Sequence, residues 1–340
     1  MKRRSKPATL RQVAAACGLS ISTVSRALRT PTLLDADTLR IVTAAIEQLD
    51  YRPSSAAQAL RGERTRVVLV VVPSLSPFFL EVFSGAEEAA AAAGYSVLVA
   101  NTDRRCSREH HLLEQASAGS VDGVILVTSN DLPKVSVDFA GKPVVIALDV
   151  STQTAFTTVR VDHVAGAVAA TGYLIHLGHR RIAHISGPPS SGMSLHRLEG
   201  YRQALGEAGI AFDPSLVFDG AFTVESGIAA TERILAMPQR PTAIFAANDQ
   251  IALGVAQALR AQGLKVPGDI SLIGFDDERM AALYDPPLST IRIPTFEIGH
   301  GAMVELLQIL EGEPAGKDIV LETELTVRKS TGGLSSTRIT

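Results

Sequence analysis

Apolar positions recur along this chain with two different periods. In the first fifty residues they fall three or four apart: Leu10, Val13, Ala14 and Ala16, then Val24, Ala27 and Leu28, then Leu39, Val42, Ile46 and Leu49. That spacing predicts short amphipathic helices. Thr9 stands where the first needs an N-cap and Gly18 where it needs a left-handed stop. Ser20 caps a second helix over Ile21–Leu28, Asp35 caps a third that runs to about Leu49, and Pro53 ends the unit. Two helices joined by so short a turn form a helix-turn-helix. Beyond residue 66 the pattern changes. Val67–Val72, Ser96–Ala100, Gly123–Val127 and Val144–Leu148 are short runs apolar on both faces, alternating with helix-like stretches such as Phe79–Ala93 and Arg108–Ala118. The rhythm then restarts, with strands expected over Ile182–Ile185, Leu216–Asp219, Ala243–Ala246 and Ser271–Phe275 and helices over Ser194–Ala208, Val224–Ala236 and Gln250–Ala261. Fully apolar strands alternating with helices predict parallel sheets covered on both faces, here as two similar α/β lobes. Ligands of such lobes bind at the carboxyl ends of the strands, and a cleft between lobes closes by hinge motion.

Composition adds limits. The 340 residues are 46% hydrophobic, the composition of a globular protein of two or three domains at roughly 100–200 residues each. Val67–Val72, the longest apolar run, falls far short of the ~18 residues of a membrane span. The basic start Met1–Pro7 is followed by no apolar signal core, so a cytoplasmic protein without a membrane partner is expected. Two cysteines, Cys17 and Cys106, cannot build a disulfide framework or a closed zinc site. The net charge of −3 hides an asymmetry. Residues 1–64 hold 11 of the 32 Lys and Arg and 5 of the 35 Asp and Glu, for +6; the remaining 21 and 30 give −9. A basic folded head on an acidic body points to a nucleic-acid partner.

The head's chemistry fits that partner. Ile21, Ser22, Ser25 and Arg26 face outward from the second helix, a surface that is small, hydroxyl-rich and without acids. Short groups allow close approach in a major groove, hydroxyls meet phosphates, and an Arg grips guanine O6 and N7. The bland alternative is a three-helix bundle with a solvated polar face. Ser54–Gly62 reads as a plain linker, or as a helix too short to persist alone that forms on a partner surface, with Leu60 an apolar wedge between base steps.

In the body, polar residues gather at the predicted strand ends. Asp149 follows Val144–Leu148, Asn248 and Asp249 follow Ala243–Ala247, Asp276 and Asp277 follow Ser271–Phe275, Arg197 lies on the helix after Ile182–Ser186, and Pro73–Phe79 follows the first strand. Singly each has an ordinary explanation: Asp249 as a helix cap, Phe79 as core, Asp276 and Asp277 as turn residues. Together, one Arg, one Asn, carboxylates and aromatic rings make a site for a polyol. Carboxylates accept from vicinal hydroxyls, Arg and Asn donate in pairs, and rings cover an apolar sugar face. No catalytic constellation accompanies them. Glu109, His110, His111 and Glu114 lack metal-ligand spacing, and no P-loop or nucleophile elbow occurs, so no catalytic residue, metal or cofactor is expected.

Thr9–Leu28 with its Thr23-Val24-Ser25-Arg26 run, Tyr51-Arg52-Pro53, the Ala57 to Leu60 hinge, Ser186-Gly187-Pro188, Arg197–Tyr201 and Gly274–Asp277 resemble the lactose/galactose-repressor family of bacterial transcription regulators, over almost the whole chain. The resemblance implies a fold of α/β class: an N-terminal three-helix helix-turn-helix head, residues 1–53; a hinge helix and linker, 54–65; and an effector-binding and dimerisation body, 66–340, like the type I periplasmic sugar-binding proteins. Its N-lobe would comprise 66–162 and 290–324 and its C-lobe 163–289 and 325–340. It implies that Ile21, Ser22 and Arg26 face base edges, that Leu60 of two subunits intercalates at the centre of a pseudo-palindromic operator, and that Ala57 enters the minor groove. The candidate DNA contacts are then Thr9, Ser20, Ile21, Ser22, Thr23, Ser25, Arg26, Arg29, Ser54, Ala57, Gln58 and Leu60. The effector positions are Ser74, Phe78, Phe79, Asp149, Ser194, Arg197, Phe222, Asn248 and Asp276. Ser54 and Gln58 depart from the Asn and Arg that many members carry. The C-terminus has no leucine heptad, which implies a homodimer rather than a tetramer.

The function expected is a DNA-binding repressor controlled by a sugar or sugar derivative. The alternatives are the same regulator with a nucleobase or nucleoside effector or a phosphocarrier-protein partner, and, from another class, a sugar-binding or sugar-modifying protein with an accessory head.

Overall fold

The computed structural model describes residues 8–29, 31–51, 64–103, 105, 107–108, 111–112, 120–127, 142–148 and 156–334. The chain divides after Thr65 into a small N-terminal unit and a large second one.

The N-terminal unit holds α1 (Leu10–Cys17), α2 (Ile21–Arg29) and α3 (Ala36–Gln48). Thr9 and Gln12 form a reciprocal capping box that satisfies orphan N–H groups at the start of α1. Gly18 ends that helix at φ +68, where a residue with a Cβ would be strained. Ser20 Oγ accepts from the Thr23 N–H at 3.1 Å and Asp35 accepts from the Thr38 N–H at 2.8 Å, so both expected caps are in place. The core is small: Val13, Ala14, Val24, Ala27, Val42, Ala45 and Tyr51. Leu28, expected on the buried face with Val24 and Ala27, is exposed, as is Ala16 of α1. In the last turn of α2 the core takes Ala27, while Leu28 beside it points to the surface.

In the large unit, β1 (Val67–Val72), β2 (Ser96–Asn101), β3 (Gly123–Val127), β4 (Val144–Ala147), β5 (Thr157–Val161) and β11 (Asp318–Leu321) form one parallel sheet in the order β11-β5-β4-β3-β1-β2. A second parallel sheet runs β7-β6-β8-β9, with β6 (Ile182–Ile185), β7 (Val217–Phe218), β8 (Ala243–Ala246) and β9 (Ser271–Ile273). The expected strand at Leu216–Asp219 shortens to two residues, because Asp213 caps a 3-10 turn over Pro214–Leu216 first. Helices α4 (Pro77–Ala92) and α9 (Thr295–Leu310) pack against the first sheet. With the second lie α5 (His163–His176) and α6 (Gly192–Glu207), and α7 (Val224–Leu235) and α8 (Asp249–Ala261). An antiparallel pair, β10 (Thr290–Arg292) and β12 (Glu324–Thr326), runs between them. The chain passes from one lobe to the other after β5, returns through β10 into α9 and β11, and crosses again through β12 to the tail. There Ser330 Oγ donates to the Leu272 carbonyl at 2.6 Å.

Helix α9 reaches its place through bare backbone. A Cβ on Gly299 would collide with the Val82 carbonyl of α4, and one on Gly85 with the Phe296 carbonyl of α9. Gly301, in the same helix, has only ordinary contact with Val159 at 3.5 Å. Gly299→Ala is expected to lower stability by about 1–3 kcal/mol in urea unfolding. Gly301→Ala should be neutral or stabilising by up to ~1 kcal/mol. Equal effects would contradict the close helix approach.

Candidate functional site

In the N-terminal unit, α2 presents one polar face. Ile21, Ser22 and Arg26 are exposed, Thr23 and Ser25 half-buried, and Val24 is fully buried beneath them. Ser20 Oγ lies 2.7 Å from Ser22 Oγ and 2.8 Å from Thr23 Oγ1, so these hydroxyls form a short chain across the start of the helix. Among the described residues Arg26 makes no ion pair, which leaves its whole guanidinium fork for another molecule. Thr9 is already spent in the α1 capping box. The expectations for Ser54, Ala57, Gln58 and Leu60, and for the side chain of Arg29, lie outside the described residues.

The large unit has its chemistry at the carboxyl ends of the strands. Arg197 sits one turn into α6, 1% exposed, and its Nη2 donates to Asp276 Oδ1 at 3.0 Å. Its Nη1 donates to the Ala247 carbonyl at the end of β8, and the guanidinium lies 3.9 Å from the centre of the Phe275 ring. Nε has no partner. Burial of the pair opposes both charges: it pushes the Asp276 carboxyl up to about 7 against the pull of Arg197, and pulls the Arg197 guanidinium below its ordinary value. His163, at the start of α5, lies 3.5 Å from Arg197 Nη2 through Nδ1 and 3.4 Å from the Leu148 carbonyl through Nε2. Burial, reinforced by the Arg197 charge, holds the imidazole well below its usual range. A neutral ring accommodates both neighbours only with Nδ1 accepting from Arg197 and Nε2 donating to Leu148.

Asn248 caps α8, its Oδ1 accepting from the Ile251 N–H at 2.9 Å, which leaves its amide donors for the cavity it lines. The expected cap, Asp249, has another task. Fully buried, it accepts from Thr290 Oγ1 at 2.7 Å and from the Glu278 N–H at 2.8 Å, and so anchors the loop after β9. That anchor holds Asp276 at φ +112 and Asp277 at φ +55. Phe222 at φ +58 and Leu148 at φ +73 are also left-handed. Non-glycine residues pay roughly 1–3 kcal/mol each for such backbone, a cost that gathers at functional sites. Asp277 faces away and pairs with Arg328 at 2.8 Å.

Phe78, Phe79, Arg197, Phe222, Asn248 and Asp276 line one cavity of about 50 Å³, together with Ser76, Met193, Gln250 and Glu278. Six of the predicted effector positions therefore meet: Phe78 and Phe79 from the start of α4, Arg197 from α6, and Phe222, Asn248 and Asp276 from the segments between elements. Ser74 and Ser194 lie outside the lining. Each has a buried hydroxyl without a partner, and Ser194 Oγ sits beside Gly187, against which the Phe222 ring also packs. Asp149 lies outside the described residues. Gln250 and Glu278 were missed, although each follows a predicted site residue by two positions; extending the strand-end loops by one turn would have found them. A groove of about 590 Å³ shares Phe78, Asp276 and Glu278, and at its rim Arg279 of one lobe reaches Glu81 of the other at 3.2 and 3.3 Å. Among the described residues no group of three or more His, Cys, Asp or Glu is placed to hold a metal, and no helix is long and apolar enough to cross a membrane.

Comparison with known proteins places both halves. Residues 9–54 match the family model "Bacterial regulatory proteins, lacI family", and residues 171–331 match "Periplasmic binding protein-like domain". The HTH-type transcriptional repressor CytR of Escherichia coli K12 is 36% identical over 337 residues, covering 98% of this chain and 99% of the relative. A lac repressor dimer bound to operator and the anti-inducer ONPF superposes with a TM-score of 0.86 at 32% identity, over 96% of this chain and 100% of the other. A complex of the transcriptional regulator CelR with cellobiose gives 0.74 at 33% identity, over 95% and 99%. An exposed recognition face and a buried polar cleft, joined in one chain with this full-length similarity, make the protein a member of the lacI family of bacterial regulatory proteins.

Proposed function

We propose that this protein is a homodimeric, cytoplasmic repressor that binds a pseudo-palindromic operator, releases or tightens on it when a sugar or sugar derivative enters the cleft, and catalyses no reaction. The observation that carries this reading is the buried Arg197–Asp276 pair with Asn248 and three phenylalanines around it, in the same chain as the unpaired Arg26. Carboxylate, amide and guanidinium are complementary to vicinal hydroxyls, and rings to the apolar face of a sugar. The relatives support the reading by what they carry: operator and anti-inducer in the lac repressor complex, cellobiose in that of CelR.

In this reading the effector contacts are Phe78, Phe79, Asp149, Arg197, Phe222, Asn248 and Asp276, with Ser74 and Ser194 joining when the cleft opens. A cavity of about 50 Å³ is too small for a monosaccharide, since ligand pockets run to roughly 300–1,000 Å³, so binding requires the lobes to part and close again. The N-lobe takes residues 66–162 and 290–324 and the C-lobe 163–289 and 325–340. Residues 54–65 act as the hinge through which lobe geometry reaches the head at 1–53, with Ala57, Gln58 and Leu60 at the operator centre and Ser54 as cap. On the head, Ile21, Ser22 and Arg26 read bases, while Thr9, Ser20, Thr23, Ser25 and Arg29 serve the phosphates and the helix start. Coupling of this kind is typically ~1–3 kcal/mol.

Two outcomes test the two sites separately. Arg26→Ala should relax base preference by about 1–3 kcal/mol at one position of each half-site, measured by binding to a set of operator variants. A loss of equal size on every variant would make Arg26 a phosphate contact only. For the cleft, hydroxyls of a neutral sugar donate to ionised Asp276. Its carboxyl titrates at about 7 in the free protein, so affinity should fall as pH drops from 8 to 6. Proton uptake then removes the acceptor, and Asp276→Asn should flatten the profile. Calorimetry with a hit from a panel of monosaccharides, phosphorylated sugars and nucleosides measures it. An unchanged pH profile in Asp276→Asn would remove Asp276 from the effector contacts.

A further inference from the structure

The cavity holds more acidic than basic side chains. Its lining carries two carboxylates, Asp276 and Glu278, and one cation, Arg197, with the buried Asp249 carboxylate directly behind the loop. Arg197 is already committed to Asp276 and the Ala247 carbonyl. Glu278 has no cation of its own among the described residues. Its carboxylate accepts from Gln250 Nε2 at 2.6 Å, a neutral donor that also lines the cavity. The adjacent Arg279 turns outward to Glu81, and Arg292 is drawn toward Glu297 and Glu324 at 3.7 and 3.8 Å. Burial holds Glu278 above the ordinary carboxylate range, the expected consequence of an acid enclosed without a counter-charge.

Two further features face the same space. Phe78, Phe79 and Phe222 line it, and the faces of aromatic rings attract cations. Among the described residues Arg197 Nε has no hydrogen-bond partner, in a side chain 1% exposed. A ligand supplying only hydroxyls would pair these donors and acceptors but leave the Glu278 carboxylate without a counter-charge. An anionic ligand would repel it.

We propose that Glu278 is a specificity-determining residue of the cleft, selecting an effector that carries a protonated amine beside its hydroxyl-bearing ring. This rests on the effector-site reading above and narrows it from sugar derivatives to amine-bearing ones. The ammonium would donate a charge-assisted hydrogen bond to the Glu278 carboxylate, with Gln250 holding that carboxylate in place and a phenylalanine face covering the amine's flank. Gln250 is thus a positioning residue.

The test uses the full-length protein and matched pairs of probes: glucosamine with glucose, galactosamine with galactose, mannosamine with mannose, and 3′-amino-3′-deoxyadenosine with adenosine. Calorimetry at pH 7 should find at least one amine bound about 10-fold or more tighter than its hydroxyl parent, the value of one added charge-assisted bond. Glu278→Gln should bring that ratio close to one, since glutamine keeps the shape but not the charge. Arg279→Ala, a change in a neighbouring charge outside the cavity lining, should leave the ratio intact. Parents that bind and are lost in Arg197→Ala, with no amine preference or with a preference unaltered in Glu278→Gln, would overturn the assignment of Glu278 and keep the site. Failure of every probe to bind the wild type would overturn both.

Discussion

The large unit is organised around one buried ion pair. Taking a guanidinium and a carboxylate out of water costs several kcal/mol each, and the pair is tolerable only where geometry and extra hydrogen bonds return most of that. Arg197 and Asp276 meet the condition through elements far apart in sequence. Asp249 anchors the loop that holds Asp276, the end of β8 supplies the Ala247 carbonyl, and Phe275 gives the guanidinium a ring to lie on. The same loop is forced into left-handed backbone at Asp276 and Asp277. Hydrophobic burial alone would have no use for this arrangement, and backbone costs of this kind gather at functional sites.

The pair also touches both lobes. Through His163, Arg197 is one hydrogen bond removed from the Leu148 carbonyl at the end of β4 in the first sheet, while Asp276 and Ala247 belong to the second. A ligand that draws Arg197 or Asp276 toward itself therefore changes what the lobes offer one another. Because a neutral imidazole has a single donor and a single acceptor, His163 cannot re-pair freely when Arg197 moves. The Arg279–Glu81 pair at the rim contributes little by itself, as exposed pairs do, but it lies on the path of any closing motion.

Much of this was legible in the sequence. Arg197, Asn248 and Asp276 were named from polar residues near predicted strand ends, and Phe78 and Phe79 from the segment after the first strand, because a parallel sheet places those ends together whatever the loops do, whereas Phe222 came only from the family resemblance. The caps at Thr9, Ser20 and Asp35 and the stop at Gly18 were read correctly because capping is local chemistry. What escaped was set by tertiary context. β10, β11 and β12 were not predicted, since short, partly exposed strands such as Asp318–Leu321 carry no distinctive apolar period. Asp249 was taken as a cap when its neighbour Asn248 fills that role, a choice that turns on which side chain Thr290 and the Glu278 N–H meet. Leu28 was placed inside because periodicity counts apolar residues without knowing the volume available to them. Glu278 went unnoticed because a Glu three residues past the predicted strand end at Phe275 reads as loop until Gln250 and Phe78 are seen to share its cavity.

The central claim is that the buried pair, rather than the cleft's shape alone, turns ligand occupancy into a change at the DNA. The most direct measurement selects operator fragments from genomic DNA with the full-length protein. It then compares their affinity with and without a bound effector for the wild type and for the charge-free double variant Arg197→Gln with Asp276→Asn. The double variant should still prefer those fragments over bulk competitor but no longer respond to the effector. A response to the effector of undiminished size in the double variant would contradict the claim.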